Sequence, residues 1–174
     1  MTTAIYILLA QGALGAFDTF YYHEYRARLP STPKHWRELI LHGLRNVAYG
    51  VIFLCLAWTE LFGAWAAAFG ALLLFEIVVT LLDFLEEDRR RPLFAGERIT
   101  HTLMAILYGA FLAHLLPILF TRLLAPTRVR AAHNETWLAY LLTALALGVL
   151  CFAVRDLTKA SEMQRRDDAA LRVR

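Results

Sequence analysis

The sequence predicts an all-α integral membrane bundle of five transmembrane helices, the first four arranged as two tandem helical-hairpin repeats. Three observations lead there. Of 174 residues, 59% are hydrophobic and the mean hydropathy is positive, which is too apolar for an ordinary soluble domain. Five stretches (3–22, 39–61, 64–84, 99–119 and 136–154) reach the roughly 20 mostly apolar residues that a bilayer crossing needs. Finally, "ELILHGLRNVAYG" at 38–50 returns as "ERITHTLMAILYG" at 97–109, with E-x-I-x-H-x-L-x-x-x-x-Y-G in common, six identities in register.

The breaks between spans follow from helix breakers and charge. Span one lacks the basic start and small-residue cleavage site of a secretory signal, so it is expected to stay as an anchor. It ends at "RLPSTPKH", with Pro30 and Pro33. Spans two and three are parted only by "FGAW", a turn at Gly63 that makes an antiparallel hairpin. Then come "EEDRRRPLFAGE", with Pro92 and Gly96, and "LLAPTRVRAAHNE", with Pro126. Residues 155–174 are polar and extend the last helix into water. The chain thus divides into a membrane domain, 1–154, with repeat units at about 10–60 and 70–120, and a charged cytoplasmic tail, 155–174.

Basic residues set the orientation. Arg26, Arg28, Lys34 and Arg37 follow span one; Arg89, Arg90, Arg91 and Arg98 follow span three; Arg155, Lys159, Arg165, Arg166, Arg172 and Arg174 follow span five. The opposite side has only Arg122, Arg128 and Arg130. The positive-inside rule then places the N-terminus outside and the C-terminus in the cytoplasm, for a multi-pass protein of the cell (inner) membrane. The net charge of +3 is a product of topology, and no nucleic-acid motif accompanies it. Cys55 and Cys151 lie in apolar spans without paired spacing and read as free, buried thiols. "NET" at Asn134 matches a glycosylation acceptor. No phosphate-binding loop, dinucleotide-binding glycine pattern or nucleophile elbow is present.

Ionisable residues collect at one membrane face. At about 100° per residue, the second span puts His35, Glu38, His42, Arg45 and Tyr49 on one stripe, the third Glu76, Thr80, Asp83 and Glu87, and the fourth Glu97, His101, Met104 and Tyr108. Such groups are expensive in a bilayer and turn inward. Span one adds Asp18, with Gln11 on the same side, whereas His23 falls roughly 140° off that stripe if the helix continues. His23 and His35 therefore read as wet, Glu86, Glu87 and Asp88 with Arg89–Arg91 as a solvated turn, and Tyr21, Tyr22, Tyr25 and Trp36 as an interfacial aromatic belt. Glu97 also suits a first-turn acid after Gly96.

The repeat makes the inward groups equivalent. Glu38 and Glu97, and His42 and His101, are offset by 59 positions; Pro33 and Pro92 precede the glutamates by five; Asp18 pairs with Glu76 after a one-residue slip. Each unit is two spans, so a pseudo-two-fold axis runs along the membrane normal. A centre on that axis receives a carboxylate and a Glu/His pair from each half. The expected ligands are Asp18, Glu38, His42, Glu76, Glu97 and His101; Glu76 matches the repeat but lies about 10 Å deeper, so Asp83 or Glu87, which match the histidines in depth, compete for its place, and His23 enters only if the first helix has already ended. Carboxylate with imidazole suits two divalent ions, iron first, manganese or zinc as alternatives. Arg45, Tyr49 and Tyr108 are the candidate catalytic groups beside them.

This set resembles the di-iron carboxylate bundles, in which two helices each give a Glu and two others each give Glu-x-x-His; here the pairs are Glu-x-x-x-His. A second resemblance is to the membrane desaturases and hydroxylases, although their HxxxH and HxxHH boxes are absent. "DTFYYHEYRARLP" with "DFLEEDRRRPLFAGERITH" also resembles a family of small uncharacterised bacterial multi-pass membrane proteins. The first two imply an oxidoreductase that reduces dioxygen at the metals, draws a lipophilic small-molecule substrate from the bilayer and uses a redox partner. Two other classes fit the same residues: a b-type cytochrome with His42 and His101 as axial haem ligands, and a proton- or cation-coupled transporter or accessory protein.

Overall fold

The computed structural model describes residues 1–32, 35–90 and 92–172. Pro33, Lys34, Arg91 and Arg174, which entered the repeat and orientation readings, lie outside the described residues. Among the described residues, five helices are long and apolar enough to cross a membrane. α1 (Thr2–Asp18) runs directly into a π-helical segment (Thr19–Arg26), followed by one 3₁₀ turn (Leu29–Ser31). The remaining helices are α2 (Trp36–Trp58), α3 (Ala64–Arg90), α4 (Ala95–Leu123) and α5 (Thr136–Arg172).

Most helices outrun their apolar stretches. α3 continues to Arg90 because an exposed i,i+4 pair, Glu86 with Arg90 at 2.8 Å, supports its last turn and Arg89 and Arg90 complement the negative end of the helix dipole. α5 extends through the polar tail as a helix, and the start of that extension is packed. Asp156, Ala160 and Met163 are buried, the last two against Leu29 and Leu39.

α2 is central, packed along α5 on one side and α3 on the other, while α1 lies along α4. The repeat maps α1 onto α3 and α2 onto α4, so α1–α4 and α2–α3 are the equivalent pairs expected from a pseudo-two-fold axis. α5 has no counterpart. Ile5, Leu8, Ile52, Phe53, Phe111 and Leu142 form the apolar core, where close packing rather than a hydrophobic driving force holds helices together in lipid. Cys55 is half-buried, and Cys151 faces outward instead of being buried as its apolar span predicts; both are free.

At the end away from the ionisable cluster, the structure adds a two-stranded ribbon that the apolar pattern does not predict. β1 (Thr59–Phe62) pairs antiparallel with β2 (Arg128–Ala131), Thr59 opposite Ala131 and Phe62 opposite Arg128. Asn134 Nδ2 donates to the Leu56 and Ala57 carbonyls at 2.8 and 2.9 Å, capping the orphan acceptors where α2 stops. The "NET" asparagine is thus a helix cap. Phe62 lies beneath three guanidiniums, Arg128 at 4.8 Å, Arg122 at 5.3 Å and Arg130 at 5.7 Å.

Gly63 turns the chain from β1 into α3 with φ +59°, the left-handed region that glycine tolerates best. The Ala64 N–H donates to Thr127 Oγ1 at 3.0 Å, and a Cβ at 63 would meet the Thr127 Cα at 2.6 Å. Gly63→Val is expected to destabilise the detergent-solubilised protein by more than about 1 kcal/mol, from left-handed strain plus this clash. Gly109→Ala, where nothing lies within 4 Å of an added Cβ, is expected to leave the thermal midpoint within a degree or two, measured by differential scanning fluorimetry.

Candidate metal centre

Four helix ends converge on one face of the bundle: the C-terminal ends of α1 and α3 and the N-terminal ends of α2 and α4. The π-helical segment determines what α1 delivers. Its i→i+5 bonding carries five residues through little more than one turn, so His23 returns to the face of Asp18 instead of swinging away as it would in an α-helix. His23 is 2% exposed, and the sequence reading of it as a wet residue is corrected. Tyr22 is buried as well, not interfacial, because Gly96 leaves room for its ring and hydroxyl against the start of α4.

Around His23 a donor set closes. Its Nε2 lies 3.3 Å from Asp18 Oδ2, 3.7 Å from Glu87 Oε1 and 3.9 Å from Glu97 Oε1. His101 approaches from α4, with Nε2 3.3 Å from Asp18 Oδ2 and Nδ1 3.5 Å from Glu87 Oε2. One ligand atom each from His23, Glu87, Glu97 and His101 lies within 4.8 Å of the other three, and all four residues are buried. Ligand atoms on opposite sides of an ion bound at about 2.0–2.2 Å are separated by roughly 4.2 Å, so shifts of a few tenths of an ångström would close this set on a cation. Asp18 Oδ1 is buried with no hydrogen-bond partner among the described residues, as fits a group facing a cation.

Supporting contacts orient the ligands. Glu97 uses Oε2 to accept from the Phe94 N–H at 3.3 Å, so it caps α4 while its other oxygen faces His23. Phe84 stacks on His101 with ring centroids 5.1 Å apart. His42 packs against His23 at 4.8 Å, and its Nδ1 donates to Asp156 Oδ2 at 2.7 Å. A carboxylate can only accept, so that bond fixes the tautomer and leaves Nε2 as the basic nitrogen.

Two further ion pairs surround the set. Arg45 meets Asp83 at 2.9 Å and His35 meets Glu38 at 3.0 Å. Asp18, Glu38, Asp83, Glu87, Glu97 and Asp156 are all 1% exposed or less, while the buried basic groups beside them are Arg45 and the imidazoles of His23, His42 and His101. At the edge of the cluster, Asp156 also accepts from Arg155 and Glu38 meets the half-buried His35. Buried carboxylates need a counter-charge, and a divalent cation can add to these basic groups with the ligand types iron, manganese and zinc accept.

The residues expected from the sequence separate into two groups. Asp18, Glu97 and His101 join the donor set, and His42, Glu38 and Asp83 lie beside it. Glu76 lies elsewhere: it is buried a level deeper, accepting from Thr80 Oγ1 at 2.7 Å, and lines a cavity of about 400 Å³ with Arg45, Tyr49 and Tyr108. Glu87 takes the place that the repeat gives Glu76. Glu87 is fully buried, not part of a solvated turn; its place on the Glu76–Thr80–Asp83 stripe was the signal for it. Asp156 was hidden in the polar tail, although Ala153, Asp156, Ala160 and Met163 continue a helical stripe with spacings of three and four.

No family model, no curated protein and no solved structure matches this chain; the site rests on its own geometry.

Proposed function

We propose that this chain is a membrane-embedded metal-dependent oxidoreductase with a dinuclear centre, iron first among the metals its ligands suit, acting on a lipophilic substrate. The observation that carries this reading is the buried His23–Glu87–Glu97–His101 quartet with Asp18 against it. A second ion is favoured by the further ligand types beside the quartet, His42, Glu38 and Asp83. Bound there, redox-active iron would supply dioxygen reduction, with electrons from a redox partner. The chain's own residues hold the ions, exclude water through burial and place an apolar cavity against the centre, bounded by His42, Arg45 and Phe84.

Two competing readings are served less well. A b-type haem with His42 and His101 as axial ligands leaves Asp18, Glu87 and Glu97 unused, and His23 packs on both histidine rings, 4.8 Å from His42 and 6.4 Å from His101. A proton or cation relay would use the same acids but does not require donor atoms gathered this tightly.

Elemental analysis of protein purified without chelators is expected to give near-stoichiometric iron with no strong Soret band. A strong Soret band would favour haem, and metal-free protein would favour the relay. His23→Ala and His101→Ala should each abolish metal retention, whereas the exposed His133→Ala should keep it; equal retention in all three would reject the site. Asp156→Ala, which frees His42 to change tautomer and turn, should weaken metal affinity by about 10–100-fold without removing a ligand from the quartet, as outer-sphere partners of metal-bound histidines do; chelator competition measures it.

A further inference from the structure

The cavity beside the metal centre has its own chemistry, which that centre does not use. It is about 400 Å³, within the range of pockets that enclose a small lipophilic molecule. Along α2 its lining runs from His42 to Phe53, roughly 16 Å at 1.5 Å per residue. Ala16 and Phe20 of α1 and Ala144 and Gly148 of α5 line it and are exposed on the outer surface of the bundle, so the cavity opens sideways where lipid would lie.

Its walls are apolar except at two places. One is the Arg45–His42 end next to the metal centre. The other lies deeper, where Gln11, Tyr49, Glu76 and Tyr108 meet. Gln11 Nε2 donates to the Tyr49 hydroxyl at 2.5 Å, and the Tyr49 and Tyr108 rings sit edge to face at 6.2 Å. Gln11, Glu76 and Tyr108 are 6%, 1% and 8% exposed. The Tyr49 and Tyr108 hydroxyls both face the Glu76 carboxylate, yet among the described residues none closes a well-formed hydrogen bond to Glu76 Oε2, to Gln11 Oε1 or to the Tyr108 hydroxyl. Buried polar atoms left unpaired are costly, and these three present a specific complement: two acceptors and one hydroxyl able to donate.

We propose that the cavity binds a single-chain lipid alcohol, with its hydroxyl held by Glu76, Gln11 and Tyr108 and its alkyl chain lying along the bore towards His42 and Phe84. An alcohol donates its one proton to Glu76 or Gln11 and accepts from Tyr108. A fatty acid would set a second negative charge against Glu76, and a hydrocarbon would leave all three groups unpaired. From Tyr49 to His42 the bore is roughly 10 Å at 1.5 Å per residue, which suits a chain of about eight carbons. The small residues at the mouth admit a narrow chain rather than a fused ring system. That this alcohol is the substrate of the metal centre rests on the reading above, and would direct chemistry to the chain end remote from the hydroxyl; that it binds here does not depend on the metal.

The test uses the full chain in phosphatidylcholine nanodiscs and a photoreactive octanol with a diazirine at the far end of its chain. Crosslinks located by peptide mass spectrometry should saturate at the cavity residues Leu81, Phe84 and Phe152, and should be competed by 1-octanol but not by octane or octanoate. Tyr108→Phe and Glu76→Gln should each raise the half-saturating concentration about tenfold, the effect of one lost buried hydrogen bond. Gly148→Leu should block the mouth without disturbing packing, because nothing lies within 4 Å of a Cβ built there; it should abolish labelling while metal content is unchanged. Labelling spread over the lipid-facing surface, equal competition by octane or octanoate, or saturation unaltered in all three variants would overturn the proposal. Saturable labelling of metal-free protein would leave this site standing and remove the metal reading; stoichiometric metal without saturable labelling would do the reverse.

Discussion

The cost of taking carboxylates out of water governs this fold. An isolated anion in a low-dielectric interior is prohibitive, and acids persist there only when paired, hydrogen-bonded or bound to a cation. Here six carboxylates are withdrawn from solvent at one end of the bundle, and the surrounding structure answers them. α1 changes its helical winding to bring His23 in, α3 runs beyond its apolar length to deliver Glu87, and α5 extends past its apolar stretch to set Asp156 on His42. The apolar half of the bundle needs no such accommodation and is packed from ordinary α-helical turns.

The repeat is symmetric in sequence but not in chemistry. His101 faces Asp18 of the neighbouring α1, and strict symmetry would have His42 face Glu76 of α3. Instead His42 turns to Asp156 on α5, the helix without a counterpart, and Glu76 is left to the cavity. The helix without a counterpart thus ends the equivalence of His42 and His101, and with it that of Asp18 and Glu76.

What the sequence made legible and what it hid divide along physical lines. The five spans, the Gly63 turn and the inward placing of Asp18, His42, Glu97 and His101 all follow from hydropathy and α-helical periodicity, which hold over most of the chain. His23 was missed because that periodicity fails locally: the same five-residue separation from Asp18 means opposite faces in an α-helix and one face in a π-helix. Glu87 matched the histidines in depth but competed with a reading of "EEDRRR" as solvated charge, and Asp156 was hidden in "VRDLTK" because its stripe shows only when followed past the end of the apolar run. The β-ribbon was invisible for another reason. Its two four-residue strands are 69 positions apart from start to start, Thr59 and Arg128 being joined by the α3–α4 hairpin, and pairing over such a distance leaves no local signature beyond the alternation in "RVRA".

Gly96 acts at a distance from its own position. The Tyr22 hydroxyl occupies the space that any side chain at 96 would fill, and Tyr22 immediately precedes His23 while Gly96 immediately precedes Glu97. The spacing between the two halves of the donor set is thus gauged by a hydrogen atom. A methyl group there would act as a shim, prising the end of the first span from the start of the fourth and spreading the donor atoms without touching one of them.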